Sequence, residues 1–284
     1  MTQPRRTWLF VPGADEKAQA AAARSGADVL IQELEDFTPP EARPRARTLA
    51  ARLYPAWRAA GALAAVRINP LETCGREDLE AVLAAKPDIV LMSKVARPEQ
   101  VQALAAIAHG VELVPNIESA AGLVRAGEIA RASPRVSAML VASEDMVADL
   151  GAERSRGGEE LAYVRARFLI ECRGAGVEAI DCPYTFGDAK GAAADARRAK
   201  RLGYRMKSLV HPVHAAPINR VFSVEARELN RARRIVRAFD EARAKGRERA
   251  RVDGRLVEVP VYAAARRLLE SAARTSPPRR RKRD

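Results

Sequence analysis

The chain has 284 residues, 48% of them apolar, with a formal net charge of +13 and only three cysteines, Cys74, Cys172 and Cys182. That much apolar material excludes wholesale disorder, and the sparse, odd cysteine count excludes a disulfide framework and fits a reducing cytoplasm. The positive charge reads first as solvated arginine-rich faces and a basic tail, with attraction of a polyanionic ligand as the functional alternative; no basic motif interleaved with aromatics and no helix-turn-helix signature accompanies it, so no nucleic-acid partner is expected.

A first apolar run at 7–11 ends at Pro12-Gly13. It is too short for a secretory core or a membrane span, so no membrane association is expected. Helical composition at 16–24 leads to a second run at 28–34, then a helix at 41–53 and runs at 63–68 and 89–92. A helix at 98–108, a run at 112–117, a helix at 120–132 and a run at 138–142 follow. A helix at 159–173, a run at 178–180, a helix at 189–201 and a run at 206–210 complete the alternation. The runs are short and rich in Val, Ile and Leu, as strands buried on both faces are. Eight such β–α alternations predict the α/β class, a closed (β/α)8 TIM barrel rather than an open doubly wound sheet. No Gly-x-Gly-x-x-Gly follows a strand, which argues against a dinucleotide fold.

The pattern changes near residue 221. Residues 221–245 read as one long helix with Ser223 as N-cap; a turn with short extended flanks covers 252–260; a last helix spans 262–273. The expected organisation is a catalytic barrel over 1–220 and a C-terminal helical extension over 221–275, a lid or oligomerisation segment too small for a core of its own. A basic disordered tail over 276–284 ends the chain.

In a parallel barrel the carboxyl ends of all strands open onto one face, where chemistry is done. The second run ends in Glu33, Glu35 and Asp36, the third in Arg67 and Asn69; Glu118 follows the fifth and Asp145 the sixth. Two carboxylates from successive strands suit one hard divalent cation. A guanidinium at Arg67 suits a carboxylate clamp or a developing enolate oxygen, and a plain ion pair with Glu35 or Asp36 is the structural alternative. His109 reads as a surface or capping residue and His211 as a loop anchor. Lys94 and Lys207 raise a Schiff-base aldolase, which leaves the carboxylate pair unexplained.

The ordered motifs are Phe10-Val-Pro-Gly13, Leu34-Glu-Asp36, Val66-Arg-Ile-Asn69, Lys94-Val95, Ile117-Glu-Ser119 with Gly122, Glu144-Asp145 with Asp149-Leu-Gly151, Ala179-Ile-Asp181 and Lys207-Ser-Leu-Val-His-Pro212. Together they resemble the citrate lyase β-subunit-like branch, which includes malyl- and citramalyl-CoA lyases, of the HpcH/HpaI aldolase superfamily. The resemblance runs from about residue 5 to about residue 270. It implies a cytoplasmic enzyme, commonly a homotrimer, that uses Mg2+ (Mn2+ as the alternative ion) to cleave or form C–C bonds in a CoA thioester substrate. By the same resemblance Glu118 and Asp145 match the metal carboxylates and Arg67 the substrate arginine. Glu35 and Asp36 match the acids that support the arginine and the metal's water. Phe10, Pro12, Gly13 and Lys94 match cofactor-binding positions at the barrel mouth. Glu258 stands where the lyases place an acid from a neighbouring subunit. The chain departs from the pattern with Glu for Asp at 258 and at 33, Ser93 for Pro, Met206 for Gly, and Ala142 near a usual Gly.

The expected reaction is cleavage of a β-hydroxyacyl-CoA of the citramalyl-, malyl- or citryl-CoA type to acetyl-CoA and a 2-oxo acid. Three alternatives stand beside it: a class II aldolase acting on a free 2-oxo acid, a citrate lyase β subunit in a multisubunit complex, and a non-catalytic scaffold.

Overall fold

The structure is a computed structural model and describes residues 4–275; the tail expected over 276–284 lies outside the described residues. The chain divides into two units, one spanning Arg5–Phe222 and the other built mainly from residue 223 onward.

In the first unit eight parallel strands close into a barrel in sequence order. They are β1 (Thr7–Pro12), β2 (Val29–Glu33), β3 (Leu63–Ile68), β4 (Ile89–Met92), β5 (Glu112–Ile117), β6 (Ala138–Val141), β7 (Glu178–Asp181) and β8 (Met206–Leu209). Pairing of Trp8 with Ser208 joins the last strand to the first. The fold class expected from the alternation is therefore the one observed. The two-residue strand period divides the side chains. Trp8, Phe10, Val29, Ile31, Ala65, Leu91, Val114, Leu140 and Ile180 fill the barrel interior, whereas Leu9, Val11, Leu30, Val66, Val90 and Leu113 pack outward in the larger outer cluster.

The helices are α1 (Glu16–Ala23), α2 (Arg43–Ala59), α3 (Gly75–Leu83), α4 (Pro98–Ile107), α5 (Ala120–Val124), α6 (Ala126–Arg131), α7 (Glu144–Asp149), α8 (Ala162–Ala175), α9 (Ala189–Leu202) and α10 (Ala215–Phe222). Helix α2 runs past its expected end and through Pro55, because Ala46, Ala50, Leu53, Tyr54 and Trp57 form one buried face along it. Helix α3 has no counterpart in the expectation. Its fully buried Asp78 accepts the Asn69 N–H at 3.0 Å and Asn69 Nδ2 at 2.7 Å, a tertiary tie that propensity does not reveal. The single helix expected at 120–132 is two, broken at Arg125.

The single helix expected over 221–245 is also two. Helix α10 ends at Phe222, with Ala215, Ile218 and Phe222 in the outer cluster of the barrel. Helix α11 (Ala226–Ala244) starts afresh, capped by Glu225 rather than Ser223; the Glu225 N–H donates to Glu228 Oε2 at 2.9 Å in a reciprocal capping box.

In the second unit, α11 is followed by an antiparallel hairpin, β9 (Ala250–Val252) and β10 (Arg255–Val257), and by α12 (Val259–Thr275). Asp253 and Gly254 turn the hairpin with φ of 50° and 74°, as a tight two-residue turn requires. The expectation of no core does not hold: Ala232, Ile235, Phe239, Val257 and Ala265 form a small one, with Phe239 stacked on Tyr262 at 4.7 Å. Among the described residues no helix is long and apolar enough to cross a membrane.

Candidate active site

The inward parity that puts Val29 and Ile31 inside the barrel places Glu33, and beyond the strand end Glu35, over the same interior. On β3 it places Arg67 after Ala65, and on β5 it places Asn116 and then Glu118 after Val114. Glu33 and Arg67 are register partners. Arg67 Nε donates to Glu33 Oε1 at 2.8 Å, Nη2 lies 3.1 Å from Glu35 Oε2, and Nη1 lies 3.7 Å from Glu118 Oε1. The guanidinium faces are covered by Phe10, 4.8 Å from its ring centroid, and Phe37 at 5.9 Å. These four charged residues are all buried.

Glu118 is short of partners. Neither of its oxygens has a well-aligned hydrogen-bond partner among the described residues, although the Lys94 backbone N–H and Arg67 Nη1 approach it, and neither does Glu35 Oε2, whose approach to Arg67 is close but out of line. Burial pushes the Glu118 carboxyl up to about 7. Arg67 and the Lys94 backbone N–H oppose that rise, and Asp145 and Glu35 add to it. Burial likewise raises the Glu35 carboxyl, against the pull of Arg67 and Lys94. Asp145 sits in the first turn of α7. The α7 carboxylate Asp149 accepts the Ala120 N–H at 2.7 Å, which draws the loop after β6 toward the loop that carries Glu118.

The turn Phe10–Gly13 lies against the end of β2: a Cβ on Gly13 would collide with the Glu33 carbonyl oxygen, and the Gly13 N–H donates to Thr38 Oγ1 at 2.9 Å. Pro12 opens outward and lines a groove of about 550 Å³ with Ala14, Asp15, Glu16, Lys17, Phe37, Pro39 and Arg45. Lys94 follows β4 in a left-handed conformation, φ 54°, uncommon for a residue with a side chain. Its ammonium pairs with Glu35 and, at 3.4 Å, with Asp36. Gly122 lets that loop approach, since a Cβ there would lie 2.6 Å from Val95 O.

One expectation is corrected. Asp36 does not support Arg67. It alternates away from the interior, is 46% exposed and meets only the Lys94 ammonium; Glu33, absent from the expected site, takes its place beside Glu35. Glu258 belongs to the second unit, where its half-exposed carboxylate pairs with Arg249 Nε at 3.2 Å at the start of α12. Period two carried one step, two residues, further back from Glu35 was the signal for Glu33.

Lys94 and Lys207 are poor imine-forming amines. Carboxylate neighbours outweigh desolvation and hold the Lys94 ammonium up at about 12. Lys207 is fully buried, 2.6 Å from Asp181, and is raised by Asp181 and Asp195. A Schiff-base nucleophile needs its amine lowered instead. Asp181, Asp195, Lys207 and Arg165 form a separate buried cluster between β7, β8 and helices α8 and α9, with Arg165 gripping Asp181 at 2.7–2.8 Å and Asp195 at 2.8 Å. His211 Nε2 lies 3.1 Å from Thr185 O, as a loop anchor should.

The sequence model of the HpcH/HpaI aldolase/citrate lyase family matches residues 6–212. A (3S)-malyl-CoA thioesterase of Cereibacter sphaeroides is 33% identical over 95% of each chain, and the citrate lyase subunit beta of Escherichia coli K12 is 32% identical over 95% of this chain and 94% of that protein. Among solved structures, protein CitE of Mycobacterium tuberculosis in complex with magnesium, acetoacetate and coenzyme A superposes with a TM-score of 0.76 at 29% identity, covering 95% of this chain and 98% of that one.

Proposed function

The chain belongs to the HpcH/HpaI aldolase/citrate lyase family, and from that premise we propose that it is a Mg2+-dependent carbon–carbon lyase. Its substrate is a β-hydroxyacyl-CoA of the malyl-, citramalyl- or citryl-CoA type, and its products are acetyl-CoA and a 2-oxo acid. The observation that carries this reading is Glu118: a buried carboxylate neither of whose oxygens has a well-aligned hydrogen bond, beside Asp145 and the Arg67 guanidinium. Arg67 and Lys94 bring two positive charges to the mouth against five carboxylates, Glu33, Glu35, Asp36, Glu118 and Asp145, an excess of negative charge that a divalent cation reduces. Among the described residues no group of three or more acids, histidines or cysteines is arranged to hold an ion alone. Glu118 and Asp145 are therefore read as its protein ligands, with substrate and water oxygens completing the shell. The magnesium and coenzyme A bound by the M. tuberculosis neighbour support the same assignment.

A bound Mg2+ supplies Lewis acidity toward the oxygens at the reacting end of the substrate. The protein's own groups do the rest. Arg67, held by Glu33 and Glu35 with Nη1 the least committed nitrogen, binds the substrate carboxylate or the enolate oxygen that develops. Glu35, raised by burial, takes the hydroxyl proton. The C–C bond then breaks, its electron pair passes to the thioester as an enolate, and the alcohol carbon becomes the carbonyl carbon of the 2-oxo acid. Glu258, delivered from the C-terminal unit of a neighbouring copy, returns a proton to the enolate carbon. The groove beside Phe37 has apolar walls from Pro12, Ala14 and Pro39, with Lys17 and Arg45 set among Asp15 and Glu16 and Arg45 paired to Glu16; it is read as the place of the CoA arm. A homotrimer is part of this reading, since Glu258 then acts in trans; the exposed Leu256, Val259 and Val261 near it are suited to a subunit contact. The unpaired cysteines favour a cytoplasmic setting.

The test is incubation with malyl-, citramalyl- and citryl-CoA, with and without EDTA, reading acetyl-CoA and 2-oxo acid. EDTA-sensitive release of both is expected for one ester. Release of free CoA thiol with the hydroxy acid intact would replace the lyase by a hydrolase, the activity named for the C. sphaeroides relative. Cleavage of a free hydroxy acid without CoA would favour the class II aldolase.

A further inference from the structure

Glu33 is fully buried, and one carboxylate ties three separate things. Its Oε1 accepts from Arg67 Nε at 2.8 Å and from the Glu35 N–H at 2.7 Å; its Oε2 accepts from the Phe37 N–H at 2.6 Å. The Glu33 backbone oxygen accepts from Thr38 Oγ1, which in turn accepts the Gly13 N–H. Both lone-pair edges of the side chain are thus committed to the guanidinium at one end and to loop 34–38 at the other. Phe37 carries that commitment outward, because its ring stands 5.9 Å from the Arg67 guanidinium and also lines the groove.

We propose that Glu33 is a positioning residue that locks Arg67 and the Phe37 loop into one rigid unit, so that the charged end of the site and the groove recognise a single long ligand together. Charge-assisted hydrogen bonds to a buried carboxylate are strong and directional. A glutamate is long enough to reach the register-paired Arg67 and still turn back to two backbone N–H groups; aspartate, one methylene shorter, meets only part of that set. Glutamine keeps the length but presents one acceptor oxygen and loses the ion pair. The inference rests on the reading of Arg67 and the groove as the two ends of an acyl-CoA site.

The experiment compares wild type, Glu33→Gln and Glu33→Asp with two thioesters of the same acyl group, one on CoA and one on N-acetylcysteamine, which lacks the long arm. Loss of Arg67 orientation weakens both esters; loss of the Phe37 loop weakens only the CoA ester. The preference of wild type for the CoA ester, measured as the ratio of kcat/KM values, is expected to fall about tenfold in Glu33→Gln, mainly through KM, with partial recovery in Glu33→Asp. Equal loss on both esters would overturn the coupling, as would a lowered Tm with an unchanged ratio. Hydrogen exchange on the ligand-free protein gives a readout independent of turnover: the Glu35 and Phe37 amides should exchange faster in Glu33→Gln, and unchanged protection there would overturn the lock itself. Wild type that turns over neither ester would reject the lyase reading, and the exchange result would still decide the lock.

Discussion

The barrel carries two buried clusters of charge that are balanced in opposite ways. Between strands and helices, Arg165 and Lys207 meet Asp181 and Asp195, two cations against two anions, and both oxygens of each aspartate accept from one of them. At the mouth, anions outnumber cations, and Glu118 faces inward with neither oxygen satisfied. Burying a charge without a partner costs several kcal/mol, so the first arrangement is a finished clamp and the second is unfinished without a ligand. The difference separates a structural cluster from a functional one where residue types alone do not, since both contain arginine, lysine and acids.

Crossing the two clusters by mutation gives the largest effects. Lys207→Met leaves two buried aspartates short of a cation and should cost about 3–5 kcal/mol in urea unfolding, with kcat nearly unchanged in the protein that remains folded. Glu118→Gln should do the reverse, lowering turnover on the order of a thousandfold and abolishing Mg2+ binding by calorimetry while the Tm holds or rises. A stability loss at Glu118→Gln matching that of Lys207→Met would erase the distinction.

The pH dependence of stability should have opposite signs at the two sites. Glu118 titrates at about 7 in the fold against an ordinary 4.5. Its contribution to stability is complete below 4.5 and lost as pH rises through 7, amounting to about 3 kcal/mol in metal-free protein. Asp195 is held below the usual aspartate range, burial notwithstanding, by Lys207 and Arg165; its contribution is present above that range and lost as pH falls below it. Denaturant titrations of wild type, Glu118→Gln and Asp195→Asn from pH 2 to 8 separate the two, and saturating Mg2+ should remove the loss at high pH. Equal slopes in wild type and Glu118→Gln would contradict the assigned burial cost.

The smallest expected effect sharpens the boundary of the mouth. Phe37→Ala removes a ring that is 41% exposed yet covers the Arg67 guanidinium; affinity for a CoA ligand should fall about three- to tenfold, with no change in Tm. Unaltered affinity in direct binding would detach the groove from the site.

Much of the mouth was legible because a strand fixes its side chains by count. Arg67 and Glu118 follow inward residues at intervals of two, and the same count reaches Glu33, which the adjacent acids Glu35 and Asp36 obscured. The clamp was not legible. Arg165, Asp181, Asp195 and Lys207 lie on four elements spread over more than forty positions, and only packing of α8 and α9 on β7 and β8 brings them together. Helix α3 escaped notice for the same reason, since its Asp78 is held by Asn69 across a loop.

By itself the sequence determined the barrel and its eight strands and pointed to Arg67 and Glu118 at its mouth, because hydrophobic period and strand parity are local properties of the chain. The tertiary structure decided which acid grips which base. It put Glu33 rather than Asp36 behind Arg67, closed one cluster and left Glu118 open, since hydrogen-bond partners and desolvation depend on distances between strands that no local pattern encodes.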